Sequence, residues 1–401
     1  MSAPAPIAPA GEFAFTRLEK VVFGPGKLAE LGAELERRGL RRAVVVTGKS
    51  LGASELIGKV TSAMTGRCAG VFAGAAQHVP AQTVRDLTAE LRRLDADAVV
   101  SFGGGSPIDT AKVAAASVMN DRDMTAEAGE LRLSEAFGSA PAGGELIHIA
   151  IPTTLSAGEY TPGGGATDES DRVKRATLDP RLQPKVVIND PELTLATPDW
   201  LWAATSMRAF DHAVEAAYSV RHQPFVDALA TKAIRLLSEH LPASLRTRGE
   251  ESVAHRGFCQ IAAWCSLFGG FNTGLGVSHA LGHQIGPMWD VPHGVTSCIT
   301  LPHAMRFMAE EAPERFEPIA EGLRIAFDPA DPRPGARACA ERVAVFVEGL
   351  PVAHTLKDVG VGRDQLREVA HAVHEEIELF GVLGRPMRLE EVTALLEAAY
   401  A

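Results

Sequence analysis

The first half of the chain alternates short β-branched runs with helical stretches, and this alternation restricts the fold more than any other feature. Residues 43–47 (AVVVT) are suited to a buried parallel strand, and residues 69–72, 98–102 and 148–151 read as strands in the same series. Between them, residues 27–38, 54–65, 83–94 and a segment starting near Pro107 carry helical spacing; Leu28, Leu31 and Leu35 set the first apolar stripe. Ahead of these, residues 13–23 alternate like a strand and stop at Gly24-Pro25-Gly26, a strong turn signal. The expected result is a parallel sheet covered by helices on both faces. Near Pro198 the character changes, and residues 225–241, 253–268, 312–326, 336–350, 363–380 and 389–400 all show helical periodicity. We therefore expect a loose Pro/Ala-rich tail over residues 1–12, an α/β domain over 13–197 and an all-helical domain over 198–401.

Length and charge narrow the function. At 401 residues the chain has room for two domains with substantial cores. A net charge of −11 with no basic cluster argues against a nucleic-acid partner. Its five cysteines are scattered without a C-x-x-C pair, which fits a reducing cytoplasm better than a disulfide framework or a zinc knuckle. The tail lacks the basic and apolar regions of a signal peptide, and no run is apolar for long enough to span a bilayer.

Two stretches carry chemistry. Residues 99–109 (VVSFGGGSPID) run from a strand through three glycines into a helix, a form that brings backbone N–H groups close to a phosphate. A triple glycine serves a tight structural turn about as well. Residues 151–156 (IPTTLS) end another strand with hydroxyls at the same sheet edge, where open α/β folds bind ligands. The second stretch, residues 276–303, holds four histidines. His279 and His283 stand one helical turn apart, and His293 sits between Pro292 and Gly294 on a turn that can return it to the same cleft. Such imidazoles suit metal binding or proton transfer. Satisfied structural histidines are the bland alternative, and His303 is read that way. Met288 and Trp289 suit a cleft wall or core packing equally.

FGGGSPIDTAK (102–112), IPTTLSAGEYTP (151–162), INDPELTL (188–195), MRAFDHAVEAAYS (207–219) and HALGHQIG, VPHG and LPHA (279–304) together resemble the iron-containing, group III alcohol dehydrogenase family over nearly the whole chain, in matching order and spacing. Within it, QHVP (77–80), TTLSAGEYTP and VKRATLDPRLQP (173–184) look most like the maleylacetate reductase branch. The resemblance implies a Rossmann-like parallel-sheet domain followed by a helical domain, the dehydroquinate synthase-like architecture, with NADH or NADPH in the cleft between them. It assigns the pyrophosphate to Gly104, Gly105 and Ser106 with Asp109 close by, and the nucleotide cleft to Thr153, Thr154 and Leu155 with Lys174 and Leu193 near. After the second strand this sequence has Gly48, Lys49 and Ser50 where many NAD-specific members carry an acid. Loss of that carboxylate, with a lysine able to meet a 2′-phosphate, predicts that NADPH is accepted.

In the family, Fe²⁺ or Zn²⁺ is bound by an aspartate and a histidine four apart on one helix plus two later histidines. His212, His279 and His293 match the histidines, but Arg208 stands at the aspartate position. A guanidinium has no lone pair to donate and cannot be a ligand. Asp211 would point about 100° away from His212 round the helix, a poor substitute. The sequence thus favours a metal-free site in which Arg208 polarises a carbonyl or pairs with a substrate carboxylate, over three histidines binding zinc with an open position. His283 matches the family's proton-transfer position. The expected activity is hydride transfer from NAD(P)H to a small oxo acid, as from maleylacetate to 3-oxoadipate in aromatic breakdown, by a cytoplasmic homodimer that binds neither nucleic acid nor membrane. A metal-dependent alcohol dehydrogenase and a catalytically silent binding subunit are the alternatives.

Overall fold

A computed structural model describes residues 12–125, 145–168, 170, 174–381 and 383–401. Residues 1–11 of the expected tail and Val173 of the VKRATLDPRLQP motif lie outside them. The first half builds β1 (Lys20–Phe23), α1 (Leu31–Arg37), β2 (Ala43–Gly48), the short α2 (Lys49–Gly52), α3 (Glu55–Ala63), β3 (Cys68–Ala75), α4 (Ala81–Arg93), β4 (Ala98–Gly103), α5 (Gly105–Met119) and β5 (Ile147–Pro152). A hairpin, β6 (Gly163–Thr167) with β7 (Lys174–Leu178), precedes β8 (Val186–Asn189). Six strands form one parallel sheet in the order β1-β8-β5-β4-β2-β3.

The two-residue period of β2 explains how helices come to cover both faces. Ala43 and Val45 pack with Leu31 and Leu35 of α1 and Val60 of α3, while Val44 and Val46 pack with Val84, Leu87 and Leu91 of α4 and Val113 of α5. Burying each such side chain contributes roughly 1.5–3 kcal/mol, so Leu87→Ala alone is expected to cost about 2–5 kcal/mol. The strands β2 and β4 are neighbours, yet the helices that follow them leave to opposite faces. That is a topological switch point, and it opens a crevice at their carboxyl ends.

The second half is helical: α6 (Asp199–Tyr218), α7 (Pro224–Arg246), α8 (Gly249–Leu267), α9 (Gly270–Thr273), α10 (Val277–Trp289), α11 (His293–Glu311), α12 (Glu317–Leu323), α13 (Pro332–Glu348), α14 (Leu366–Phe380) and α15 (Leu389–Tyr400). Its centre is α6, which is buried nearly all round and packs Trp202, Met207, Phe210 and Val214 into the core. This helical core also takes in Ala150 of β5, Val187 of β8 and Leu155, so the helices sit directly on the sheet. No helix among the described residues is long and apolar enough to cross a membrane.

Three expectations need correction. The strand over residues 13–23 shrinks to Lys20–Phe23, because its partner β8 is only four residues long. Ala14 is held instead by the Asn272 amide, which accepts from its N–H at 2.7 Å and donates to its carbonyl at 3.1 Å. The helix over 312–326 divides into a 3₁₀ turn at Pro313–Phe316 and α12, which ends where Arg324 takes a φ of 58°. Neither β8 nor the β6–β7 hairpin was expected.

Candidate active site

The crevice between β2 and β4 gathers most of the residues assigned to the dinucleotide. Gly48 ends β2, and Lys49 and Ser50 are exposed beside it. Gly103 ends β4 at a φ of 142°, which favours glycine; a Cβ there would lie 3.4 Å from Leu51, so the two loops touch. Gly104 caps α5, and Gly105 and Ser106 start it, which points backbone N–H groups and the positive end of the helix dipole into the crevice. A Cβ on Gly104 would stand 3.0 Å from Thr154 Oγ1, and one on Gly105 3.2 Å from Ser156 Oγ. Those two hydroxyls are buried without a hydrogen-bond partner among the described residues, which fits a cradle that receives polar ligand atoms.

The remaining assignments divide. Asp109 lies half-buried one turn further along α5, and the Thr153 N–H donates to Gly103 O at 2.9 Å, tying the ends of β4 and β5 together. Leu155 and Leu193 are instead core residues, in the helical core and under α1 and α3 respectively. Lys174 begins β7 opposite Thr167, and its side chain lies outside the described residues.

A polar cluster lies where α6, α10, α11 and α14 meet. On α6, Arg208, Asp211, His212 and Glu215 share one face by helical spacing. The four histidines form a row: His212 and His279 have ring centroids 4.8 Å apart, His279 and His283 6.1 Å, and His283 and His293 5.2 Å, the last pair nearly parallel at 7°. Arg208 enters from the side. Its guanidinium is buried, donates to Ser297 Oγ at 3.2 Å and to His293 Nε2, and lies 3.8 Å from Asp211 Oδ2. α11 can begin this close to α6 because its second residue is Gly294; a Cβ there would fall 2.6 Å from the Ala204 carbonyl oxygen.

Glu215 anchors α10. Its carboxylate accepts from the Gly276 N–H at 2.7 Å and the His279 N–H at 3.2 Å, so an acidic side chain satisfies the orphan donors at the start of that helix. It also lies against His279 Nδ1, without the alignment of a hydrogen bond. Ser278 Oγ donates to Asp211 Oδ2 at 2.8 Å. Glu376 of α14 meets His283 Nδ1 with one oxygen and accepts from Gln284 Nε2 at 2.7 Å with the other.

Burial dominates the electrostatics. It pulls the Arg208 guanidinium down to about 10, against the carboxylates of Asp211, Glu215 and Glu376, so the group stays charged at neutral pH. Burial pushes Glu215 up to about 7, opposed by its backbone N–H donors, and pushes Asp211 well above the usual carboxylate range with Glu215 adding to the effect. His212 and His279 are held well below the ordinary histidine value by burial, with further contributions from His279 on the former and Arg208 on both.

A divalent metal fits this donor set, though not the expected one. His212 Nδ1, His279 Nε2 and Asp211 Oδ1 are buried without hydrogen-bond partners among the described residues, and Asp211, Glu215 and His279 offer ligand atoms all within 4.8 Å of one another. The reading of Asp211 as turned away is thus corrected: Asp211 reaches the cluster and approaches His279 Nδ1 at 3.7 Å. Glu215 and Glu376 were missed. The spacing of Glu215 from Arg208 and Asp211 was a usable signal, whereas Glu376 arrives from 93 residues beyond His283 with none. His303, half-buried and lowered to about 4 by its burial, stands apart from the row. Met288 and Trp289 pack against the helical core.

The chain as a whole is similar to known proteins. Residues 19–191 match iron-containing alcohol dehydrogenase, and residues 202–400 match the C-terminal part of the Fe-containing alcohol dehydrogenase family. The chain is 29% identical over 389 residues to lactaldehyde reductase of Escherichia coli K12, covering 95% of this chain and 98% of that protein. It is 31% identical over 386 residues to maleylacetate reductase of Burkholderia cepacia, covering 96% of each. The solved structure of an alcohol dehydrogenase from Oenococcus oeni superposes with a TM-score of 0.87 at 26% identity, over 98% of this chain and 100% of that one.

Proposed function

Because the chain belongs to the iron-containing alcohol dehydrogenase family and is an oxidoreductase, we propose that it reduces a small oxo acid with NADPH or NADH, as maleylacetate is reduced to 3-oxoadipate in aromatic breakdown. The observation that carries this reading is Arg208. A charged guanidinium buried among four imidazoles is a fixed partner for a substrate carboxylate or a developing oxyanion. In this proposal the nicotinamide, when bound, supplies the hydride, and His283 hands the proton to the substrate oxygen. His212, His279 and His293 orient the substrate oxygens, and Arg208 pairs with the carboxylate. Gly104, Gly105, Ser106, Asp109, Thr153 and Thr154 hold the dinucleotide, with Lys49 and Ser50 at the adenosine ribose. Residues 13–197 and 198–401 are the two domains, working as a cytoplasmic homodimer.

A second reading, a metal-dependent alcohol dehydrogenase, is favoured by the unpartnered donors. A divalent ion held by His279 with Asp211 and Glu215, or with His212, would polarise a carbonyl or alkoxide oxygen. The test is NAD(P)H oxidation, followed by near-ultraviolet absorbance, with maleylacetate, other small oxo acids and short aldehydes, before and after dialysis against a strong chelator. Preference for oxo acids supports the proposal. Preference for aldehydes, or loss of activity that Zn²⁺ or Fe²⁺ restores, supports the second reading. No turnover of any carbonyl would leave a silent binding subunit.

A further inference from the structure

We propose that Glu376 is the positioning residue that holds His283 in the orientation from which Nε2 delivers its proton and selects the Nδ1–H tautomer left behind, an inference that rests on the proton-donor reading of His283. Glu376 comes from α14, far along the chain, yet its side chain is only 11% exposed. Both carboxylate oxygens are committed to consecutive residues of α10: Oε1 to His283 Nδ1, and Oε2 to Gln284 Nε2 at 2.7 Å. A surface ion pair would leave the carboxylate free to rotate; here the second bond fixes its plane.

The consequence for His283 is directional. An ionised carboxylate only accepts, so Nδ1 carries a hydrogen and Nε2 is the nitrogen turned towards chemistry. The ring is also held by its face, stacked on His293 with centroids 5.2 Å apart and planes 7° from parallel. Edge and face together leave little freedom about χ2. A bound NAD(P)H would supply the hydride that reduces the carbonyl carbon. The form that delivers is the imidazolium, with a hydrogen on each ring nitrogen: the new alkoxide oxygen takes the proton from Nε2, the N–H electron pair stays on the ring, and the neutral ring left behind keeps Nδ1–H donated to Glu376. Third groups orient catalytic histidines and metal-bound histidines in the same way.

The experiment compares Glu376→Gln, Glu376→Asp and His283→Asn in the full-length chain. Glutamine keeps the shape but can present N–H to Nδ1, which favours the other tautomer. E376Q is expected to lower kcat about 10- to 100-fold while KM and the Kd for NAD(P)H change less than about threefold, the pattern of a lost proton-transfer geometry. E376D should recover part of kcat. In the cofactor-free protein, ¹⁵N–¹H NMR of the His283 ring should show the hydrogen on Nδ1 in the unaltered chain and its redistribution to Nε2 in E376Q. If E376Q fails to fold, Gln284→Met, which releases Oε2, carries the same test through a smaller fall in kcat. An unchanged ring signature, or kcat within twofold of the unaltered chain, overturns the proposal. H283N impaired with E376Q unimpaired overturns it alone; both unimpaired removes the proton-donor reading as well.

Discussion

Replacing Arg208 by methionine keeps most of the side-chain volume and removes the charge. At 3.8 Å from Asp211 Oδ2, the guanidinium contributes a Coulomb interaction of about 4 kcal/mol at an effective dielectric constant near 20. Asp211 already sits well above the usual carboxylate range, so in R208M it can take up a proton instead of remaining an unpaired buried charge. The fold is therefore expected to survive, with a lower melting temperature. The substrate has no such escape. Truncating one partner of a buried charge pair costs about 2–5 kcal/mol, which is roughly 30- to 5,000-fold in kcat/KM. Steady-state kinetics with an oxo acid and with an aldehyde of matched length separates the effects. For the oxo acid, kcat/KM should fall at least about 30-fold, and for the aldehyde less than about fivefold. Arg208→Lys keeps a point charge but not the planar fork, so it should lie between. Equal losses on both substrates, or no loss on the oxo acid, would refute the role given to Arg208.

Three further outcomes follow from the geometry. In Gly104→Ala the new methyl meets Thr154 Oγ1 at 3.0 Å and fills the cradle, so the Kd for NAD(P)H by fluorescence titration should rise about tenfold or more; an unchanged Kd removes the loop from the dinucleotide site. Lys49→Glu should weaken NADPH at least about tenfold and NADH less than about threefold, and equal effects would remove Lys49 from the ribose. Glu159 is buried and raised to about 7 by that burial, so the folded chain keeps a proton that the unfolded chain releases above about 4.5. Stability should then fall by ~3 kcal/mol as pH rises from about 4.5 to 7. Glu159→Gln should flatten that dependence in urea titrations, and an unaltered slope would show that Glu159 ionises freely.

The sheet was legible because its strands are β-branched and its helices of ordinary length. Ala43–Gly48 and Ala98–Gly103 emerge within one residue of their expected ends. The strands that escaped notice have other reasons to be strands. Gly163-Gly164-Gly165 carries little strand propensity, yet it pairs with β7, and Lys112, close to Gly164, donates to the Gly158, Thr161 and Gly163 carbonyls beside it. The gathering of the candidate site residues was legible where spacing encodes it, as for His279 and His283, or where a motif does, as for Arg208 against His212. Asp211 was misjudged because a helix angle measures direction on one helix only. The partner helix α10 approaches from the side Asp211 faces, and Ser278 and His279 meet it there. Glu376 follows from tertiary packing alone.

The second residue of α11 has a practical consequence for anyone recoding the substrate range. At Gly294 the obstruction to any side chain is the backbone of Ala204 and Thr205, which no rotamer change can move aside. In a saturation library, position 294 should therefore return glycine almost alone. An empty position in the sequence thus sets the spacing at which His293 and Arg208 meet.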